Sequence, residues 1–364
     1  MSAAPTILLA AGGTGGHLFP AAALAVALEK RGVRIELATD DRALKYGADF
    51  PAEAVHTIPA GTPTSAGLVA KGLAGLALGR GAVASFWLLR RVRPAAVVGF
   101  GGYPTVPPLL IAAFLKIPTV LHEANAVMGR ANRFLSGRVT AIASGFPDLA
   151  GLDAASERKY VVTGNPLRPA VLEAAKLPYP GFGGGKLNLL VTGGSQGARV
   201  MADVAPAALG LLTADERARL ELTMQARGED KARVAGACAA LGLTVELAEF
   251  FADLPARMGR AHLIVGRSGA STASEIAAIG RPSILVPFPH ALDQDQAANA
   301  RQLAESGAAI VVPQSEFTDL RLAALLKEAL AEPQRLVAAA AAAKAAGVTD
   351  AAERLAELVE SVAR

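Results

Sequence analysis

The sequence is short of several things, and each shortage excludes something. Its 364 residues include one cysteine, Cys238. A lone thiol makes no intrachain disulfide and no cysteine-based metal site, and it suits a reducing compartment. Aromatic residues are 5% of the chain while hydrophobic residues are 52%, so the cores must be built from Ala, Val and Leu. No stretch of about 18 residues is apolar and uncharged enough to span a bilayer. The nearest, Leu68 to Leu89, is broken by Lys71, Arg80 and several glycines. The first apolar run has no basic segment before it and ends in glycines, so no signal peptide is expected.

Acid is scarce in one region. Between Ala54 and Pro147 the only acid is Glu123, while Lys71, Arg80, Arg90, Arg91, Arg93, Lys116, Arg130, Arg133 and Arg138 all fall there. Such asymmetry suggests an anionic partner. The cations are interleaved with Leu68, Leu73, Leu76, Leu78, Phe86, Trp87, Leu88 and Leu89. Apolar residues among cations suit an anionic membrane surface better than nucleic acid. An ordinary buried helix with a solvated basic end would leave the same trace.

What is present is a repeated strand, loop and helix. The length is enough for two domains. Thr6 to Ala11 reads as a buried strand and is followed by GGTGGH, Gly12 to His17. Pro20 is expected to open a helix that stops at Gly32, and Val33 to Ala38 is the next strand. This βαβ opening begins a doubly wound parallel sheet. Consecutive glycines let backbone N–H groups approach an anion. The spacing is not a dinucleotide fingerprint, because Leu18 stands where its third glycine belongs, and no Gly-Lys-Ser/Thr of a Walker loop follows. Asp40, after the second strand, is a weak ribose candidate.

Pro94 to Gly99 ends in GFGGYPT, and Pro118 to Leu121 ends in His122-Glu123-Ala124-Asn125. After a boundary loop, Pro178 to Lys186, the pattern restarts. Leu187 to Thr192 leads into Gly193-Gly194-Ser195-Gln196-Gly197 and a helix. GGTGG and GGSQG are the same device twice, so the chain reads as two similar α/β halves. Further strands are expected near Glu221–Gln225, Thr244–Leu247, Ala261–Val265, Ser283–Val286 and Ala308–Val312.

The stretch from Gly266 to Ala300 concentrates polar residues just after strand ends, where open α/β sheets bind ligands. Glu275 lies near a helix start, a place that suits a nucleotide diphosphate. Thr272-x-x-Glu275 and Asp293-x-x-Gln296 are also capping boxes, so the same residues can equally be tying down helix starts.

Taken in order, GGTGGH, GFGGYPT, HEAN, GNPLR, GGSQGAR and the RSGAST–SE–Q series resemble the MurG family over nearly the whole chain. These are the peptidoglycan N-acetylglucosaminyltransferases. The resemblance implies an α/β chain of GT-B type, two Rossmann-like doubly wound parallel-sheet domains facing a cleft. Residues 1–165 would form the acceptor and membrane-facing domain, residues 166–345 the UDP-GlcNAc domain, and a helix at 346–364 would pack back on the first. It implies inverting transfer of GlcNAc from UDP-GlcNAc to the 4-hydroxyl of the N-acetylmuramoyl-pentapeptide of lipid I, giving lipid II. No metal or other cofactor is expected: Asp293-Gln294-Asp295 has acids at the spacing of the Asp-x-Asp metal motif of the other glycosyltransferase fold, but its helix-start context and the missing partner pattern argue against that reading.

His17 is the leading general base, since its unperturbed pKa allows that role near neutrality, and Glu123 is the competitor. The resemblance places Thr14, Gly15 and Gly16 at the donor–acceptor cleft and Asn125 and Gln296 on the GlcNAc hydroxyls. It puts Arg168 and Ser195 at the nucleotide diphosphate, and Phe251 at the uracil through its backbone. Ala270, Ser271, Thr272, Ala273, Ser274 and Glu275 would wrap the nucleotide, with Glu275 on the ribose. Gly13, Gly101, Gly102 and Tyr103 would face the acceptor diphosphate. Where the family often has two glutamines, this chain has Asp295-Gln296, so a sugar contact is implied for Gln296 and not for Asp295.

The partners implied are UDP-GlcNAc, lipid I, an anionic membrane surface met through residues 68–93, and proteins of cell-wall synthesis; nucleic acid is not among them. The place implied is the cytoplasmic face of the bacterial inner membrane, held peripherally. The alternatives are another GT-B enzyme, such as a UDP-GlcNAc epimerase or a diacylglycerol glycosyltransferase, and a non-catalytic nucleotide-sugar-binding protein. The acid-poor basic stretch argues against an epimerase. A binding protein would keep Glu275 and Ser195 without needing His17 or Glu123.

Overall fold

The structure is a computed structural model that describes residues 4–12, 15–41, 50–61, 68–194, 197–291 and 294–363, with nothing stated of side chains 68–74. Gly13, Thr14, Ser195 and Asp293 therefore lie outside the described residues, as do the side chains of Leu68, Lys71 and Leu73.

The chain forms two compact units, residues 1–168 with 349–364, and residues 169–348. In the first, strands β1 (Thr6–Ala10), β2 (Arg34–Thr39), β3 (Ala54–Thr57), β4 (Ala96–Gly99), β5 (Thr119–Glu123), β6 (Ala141–Ser144) and β7 (Tyr160–Val162) alternate with helices α1 (Gly15–Glu29), α2 (Leu68–Val92), α3 (Val106–Phe114) and α4 (Arg130–Ser136). The second opens on α5 (Pro169–Ala175), β8 (Leu187–Thr192), α6 (Arg199–Gly210), α7 (Ala214–Ala218), β9 (Leu220–Gln225), α8 (Gly228–Ala240) and β10 (Val245–Ala248). It continues with α9 (Leu254–Arg260), β11 (Leu263–Gly266), α10 (Ala270–Ile279), β12 (Ser283–Leu285), α11 (Asp295–Glu305), β13 (Ala309–Val311), α12 (Asp319–Ala331) and α13 (Pro333–Ala346). Helix α14 (Ala351–Ala363) returns to the first unit, where Leu355, Ala356 and Val359 enter the core with Leu24 and Leu28 of α1.

Both sheets are wholly parallel. Their strand orders are β3-β2-β1-β4-β5-β6-β7 and β10-β9-β8-β11-β12-β13. Strands covered on both faces must be apolar throughout. Accordingly β1, TILLA, is buried at every residue, and β11, LIVG, likewise. The chain reverses its direction of travel beside the first strand of each sheet, so the crevices lie between β1 and β4 and between β8 and β11.

Three strands are not apparent in the sequence, among them β7, three residues at the sheet edge. β3 is an edge strand with alternating exposure and a polar His56. β6 is only four residues, Ala-Ile-Ala-Ser, buried at every one. The expected helix start at Pro20 is corrected: α1 begins at Gly15 and carries Pro20 inside it. Proline removes one N–H there, and the cost is borne near the helix start, with Leu18, Ala21 and Leu24 packed into the core around it.

Candidate active site

The glycine loops meet their neighbours at the two crevices. In the first unit the loop after β1 lies against the turn after β4: a Cβ on Gly12 would stand 2.6 Å from Pro104 Cγ. Gly101 and Gly102 have φ of 91° and 77°, a region that side chains strain to occupy. A Cβ on Gly101 would also lie 3.3 Å from His17 Nε2. Glycine thus leaves the imidazole room against the backbone. Thr105 Oγ1 ties this turn down by donating to Gly101 O at 2.7 Å and Ala10 O at 3.2 Å. Tyr103 is partly exposed at its start.

His17 is the third residue of α1 and half-buried. Its Nδ1 is 3.0 Å from Gly12 O. A carbonyl only accepts, so Nδ1 carries the hydrogen and, in the neutral ring, Nε2 holds the lone pair. Burial pushes its pKa below the usual imidazole range, opposed by the Gly12 carbonyl and the charges of Glu123 and Asp40. An unprotonated Nε2 at neutral pH follows.

Glu123 is differently placed. It ends β5, 3% exposed. Oε1 accepts from Asn125 N at 2.9 Å and Asn125 Nδ2 at 3.2 Å, and Oε2 from Gly129 N at 3.0 Å and Asn132 Nδ2 at 2.7 Å. Four donors fill both oxygens, and each belongs to the segment that follows β5. This geometry makes Glu123 the organiser of that loop.

His122 is fully buried beside Phe100, with ring centroids 5.3 Å apart. Its Nε2 lies 3.4 Å from Gly164 O, and Nδ1 has no hydrogen-bond partner. Burial lowers its pKa to about 4, and nearby His17 adds to that. The Arg168 guanidinium lies over the ring of Phe19 on α1, 4.4 Å from its centroid.

In the second unit Gly193 and Gly194 follow β8. A Cβ on Gly193 would collide with the Ala198 amide, so only glycine permits the return of the chain. Gly193 N donates to Gln225 Oε1 at 3.0 Å, and Arg227 Nη2 donates to Gly197 O at 3.0 Å. Beyond β11, α10 starts at Ala270 with Gly269 as N-cap and no side-chain cap. The expected box at Thr272 is therefore corrected: Thr272 is the third helical residue and not the cap. Gly269 has no side chain with which to cap the first turn, and Ser271, Thr272 and Ser274 are partly exposed there, with Ala270 and Ala273 buried. Glu275 is 6% exposed. The second box is corrected too, since α11 starts at Asp295 with Gln294 as N-cap. Gln296 Oε1 accepts from Phe288 N at 3.0 Å, and Asp295 Oδ1 from Gln296 N at 2.9 Å. Phe251 is buried beneath Arg257, whose guanidinium carbon is 4.2 Å from the ring centroid.

Asn132, Gln225, Arg227 and Arg257 escape a reading of motifs. Gln225 carried one available sign, a polar residue closing an otherwise apolar strand.

The two doubly wound units, each with a glycine loop at its crevice, define a glycosyltransferase of the GT-B class. A family model described as the glycosyltransferase family 28 N-terminal domain matches residues 7–144, and one described as its C-terminal domain matches residues 188–355. The UDP-N-acetylglucosamine--N-acetylmuramyl-(pentapeptide) pyrophosphoryl-undecaprenol N-acetylglucosamine transferase of Methylobacterium sp. strain 4-46 is 56% identical, over 99% of this chain and 98% of that protein. The crystal structure of Acinetobacter baumannii MurG superposes with a TM-score of 0.79 at 28% identity, over 98% of this chain and 99% of that one. A UDP-GlcNAc 2-epimerase from Neisseria meningitidis, bound to UDP-GlcNAc, gives a TM-score of 0.69 at 14% identity over 98% of this chain and 100% of that one, a likeness of fold alone. The chain belongs to the MurG family.

Proposed function

We propose that the protein transfers GlcNAc from UDP-GlcNAc to the 4-hydroxyl of the muramoyl-pentapeptide of lipid I, with inversion, forming the β-1,4 disaccharide of lipid II. The observation that carries the mechanism is the tautomer of His17. Gly12 O fixes the proton on Nδ1, which leaves Nε2 to accept one. The acceptor hydroxyl attacks C1 of GlcNAc. The C1–O4 bond forms, the bond from C1 to the UDP oxygen breaks with its electron pair going to UDP, and the hydroxyl proton passes to Nε2. Glu123 acts through Asn125 and Asn132, which it holds in place.

The donor residues are read from the resemblance and supported by local geometry. The N–H groups at the start of α10, whose N-cap is a glycine, and the glycine turn at Gly193 and Gly194 suit the growing charge on UDP. Glu275 would accept from the ribose hydroxyls. Phe251 would meet uracil through its backbone, and Asn125 and Gln296 would meet the sugar. Arg168, Ser195 and residues 270–274 would meet the nucleotide. Thr14, Gly15 and Gly16 would line the reaction site, and Gly13, Gly101, Gly102 and Tyr103 would receive the acceptor diphosphate.

Among the described residues no helix is long and apolar enough to cross a membrane. Leu76, Val83 and Trp87 nevertheless share one stripe of α2 at 62%, 61% and 68% exposure, and Phe114 at the end of α3 is 76% exposed. Exposed large side chains set among Arg80, Arg90 and Lys116 suit a peripheral hold on anionic lipid at the cytoplasmic face. Labelled UDP-GlcNAc with a lipid I analogue tests the reading. We expect labelled disaccharide on the lipid; free GlcNAc or its epimer, with the lipid unlabelled, would overturn it.

A further inference from the structure

Gln225 closes β9, the strand that lies between β8 and β10. It is 5% exposed. A primary amide offers two lone pairs and two N–H donors, and here all four are used. Oε1 accepts from Gly193 N at 3.0 Å and Thr192 Oγ1 at 2.9 Å, and Nε2 donates to Gly194 O at 3.0 Å and Glu249 O at 3.0 Å. The amide orientation is fixed by its partners, because Gly193 N only donates while the two carbonyls only accept. Thr192 Oγ1 in turn accepts from Gly194 N at 3.3 Å. One side chain therefore spans the top of β9 and joins the glycine loop after β8 to the segment after β10.

Those two segments would meet opposite ends of one ligand. On the proposed function, the turn at Gly193 and Gly194 faces the diphosphate and the 249–253 segment presents Phe251 to the base. We propose that Gln225 is a positioning residue that sets the spacing between the diphosphate loop and the base loop of the UDP-sugar site, an inference that rests on that reading of the donor. Three of its four partners are backbone groups and the fourth is the Thr192 hydroxyl, so it acts by fixing where the ligand-facing N–H and C=O groups stand. A second clamp supports the base side: Arg257, stacked on Phe251, bonds Asp253 at 2.7 Å and Glu246 at 2.5 Å. The base loop is thereby held from β10 and α9 as well, and Gln225 is the side chain that ties it to the phosphate loop.

The test is calorimetric binding of UDP and UMP to the full chain and to Gln225→Met, which keeps the shape and loses all four bonds. Val234→Ala, a buried change on α8 away from both loops, controls for lowered stability. We expect Gln225→Met to weaken UMP about tenfold and UDP by more, with the KM for UDP-GlcNAc rising and kcat at saturating donor held within about threefold. Val234→Ala should leave both affinities unchanged. Weakened UDP with unchanged UMP would overturn the spacing role, since only the phosphate loop would have moved. Unchanged affinities with a lower melting temperature would reduce Gln225 to a structural residue. Unmodified protein that binds neither nucleotide would remove the donor reading itself, and this inference with it. Should Gln225→Met not fold, Gln225→Glu is measured in the same way; it keeps Oε1 and sets a second oxygen against the two carbonyls.

Discussion

The two units use one frame for different chemistry. Each has a buried parallel sheet and a glycine loop after its first strand. In the first unit the crevice gathers titratable groups: His17, with Glu123 and Asp40 close enough to shift it, and His122 behind. In the second the loop is held by an amide and a hydroxyl, Gln225 and Thr192, and by the guanidinium of Arg227, beside the glycine-capped start of α10. The shared topology places a ligand, and the side chains at the strand ends decide whether a proton can move there. On the proposed function, proton transfer belongs to the first unit and binding of the donor diphosphate to the second.

Breaking that division at His17 should cost most. His17→Ala is expected to lower kcat roughly 100-fold to 10 000-fold, the range of a lost general base, with UDP affinity unchanged by calorimetry. A parallel loss of UDP affinity would erase the division. Glu275→Ala should do the reverse, raising the KM for UDP-GlcNAc about tenfold to a hundredfold, as for a lost hydrogen bond to a charged group, with kcat nearly constant. Steady-state kinetics with donor varied would separate the two.

The comparison sharpens with pH. Protonating Nε2 removes the base, so kcat/KM should fall as pH drops through the depressed pKa of His17. The charge of Glu123 raises that pKa, so Glu123→Gln should move the acid limb to lower pH while lowering the rate through its loop. A limb that vanished in Glu123→Gln would make Glu123 the titrating base.

A smaller effect concerns stability. His122 has its folded pKa lowered to about 4 from 6.5. The unfolded chain therefore binds the proton more readily, and stability present above pH 6.5 is lost as pH falls through 4. That difference amounts to about 3 kcal/mol. Urea unfolding of His122→Asn at pH 7 and pH 5 should show a weaker acid dependence than the unaltered chain, and an identical dependence would contradict the assignment.

Much of this was legible in the sequence, for a physical reason. Doubly buried strands must be continuous apolar runs, and loops that admit no Cβ must be glycine, so β1, β8 and β11 and their loops stand out. The strands that escape are those without such constraints: β3 and β7, partly exposed at the sheet edges, and β6, too short to be distinctive. Local patterns misled where tertiary packing decided the outcome. Pro20 and Thr272 carry helix-start signatures, yet α1 and α10 begin earlier, at Gly15 and Ala270. His17 could be named from its loop, but its tautomer could not, because Gly12 O becomes its partner only through the turn of the chain. Gln225 was hidden because its partners come from strands adjacent in the sheet and distant in sequence.

The most direct test of a base at His17 is single-turnover transfer from saturating UDP-GlcNAc to a lipid I analogue, with the unaltered chain and His17→Ala compared from acid to alkaline pH. We expect a slow residual rate in the variant that has lost the acid limb, with product of the same linkage. A variant that retained the full rate and the same limb would contradict the role of His17 Nε2 as proton acceptor.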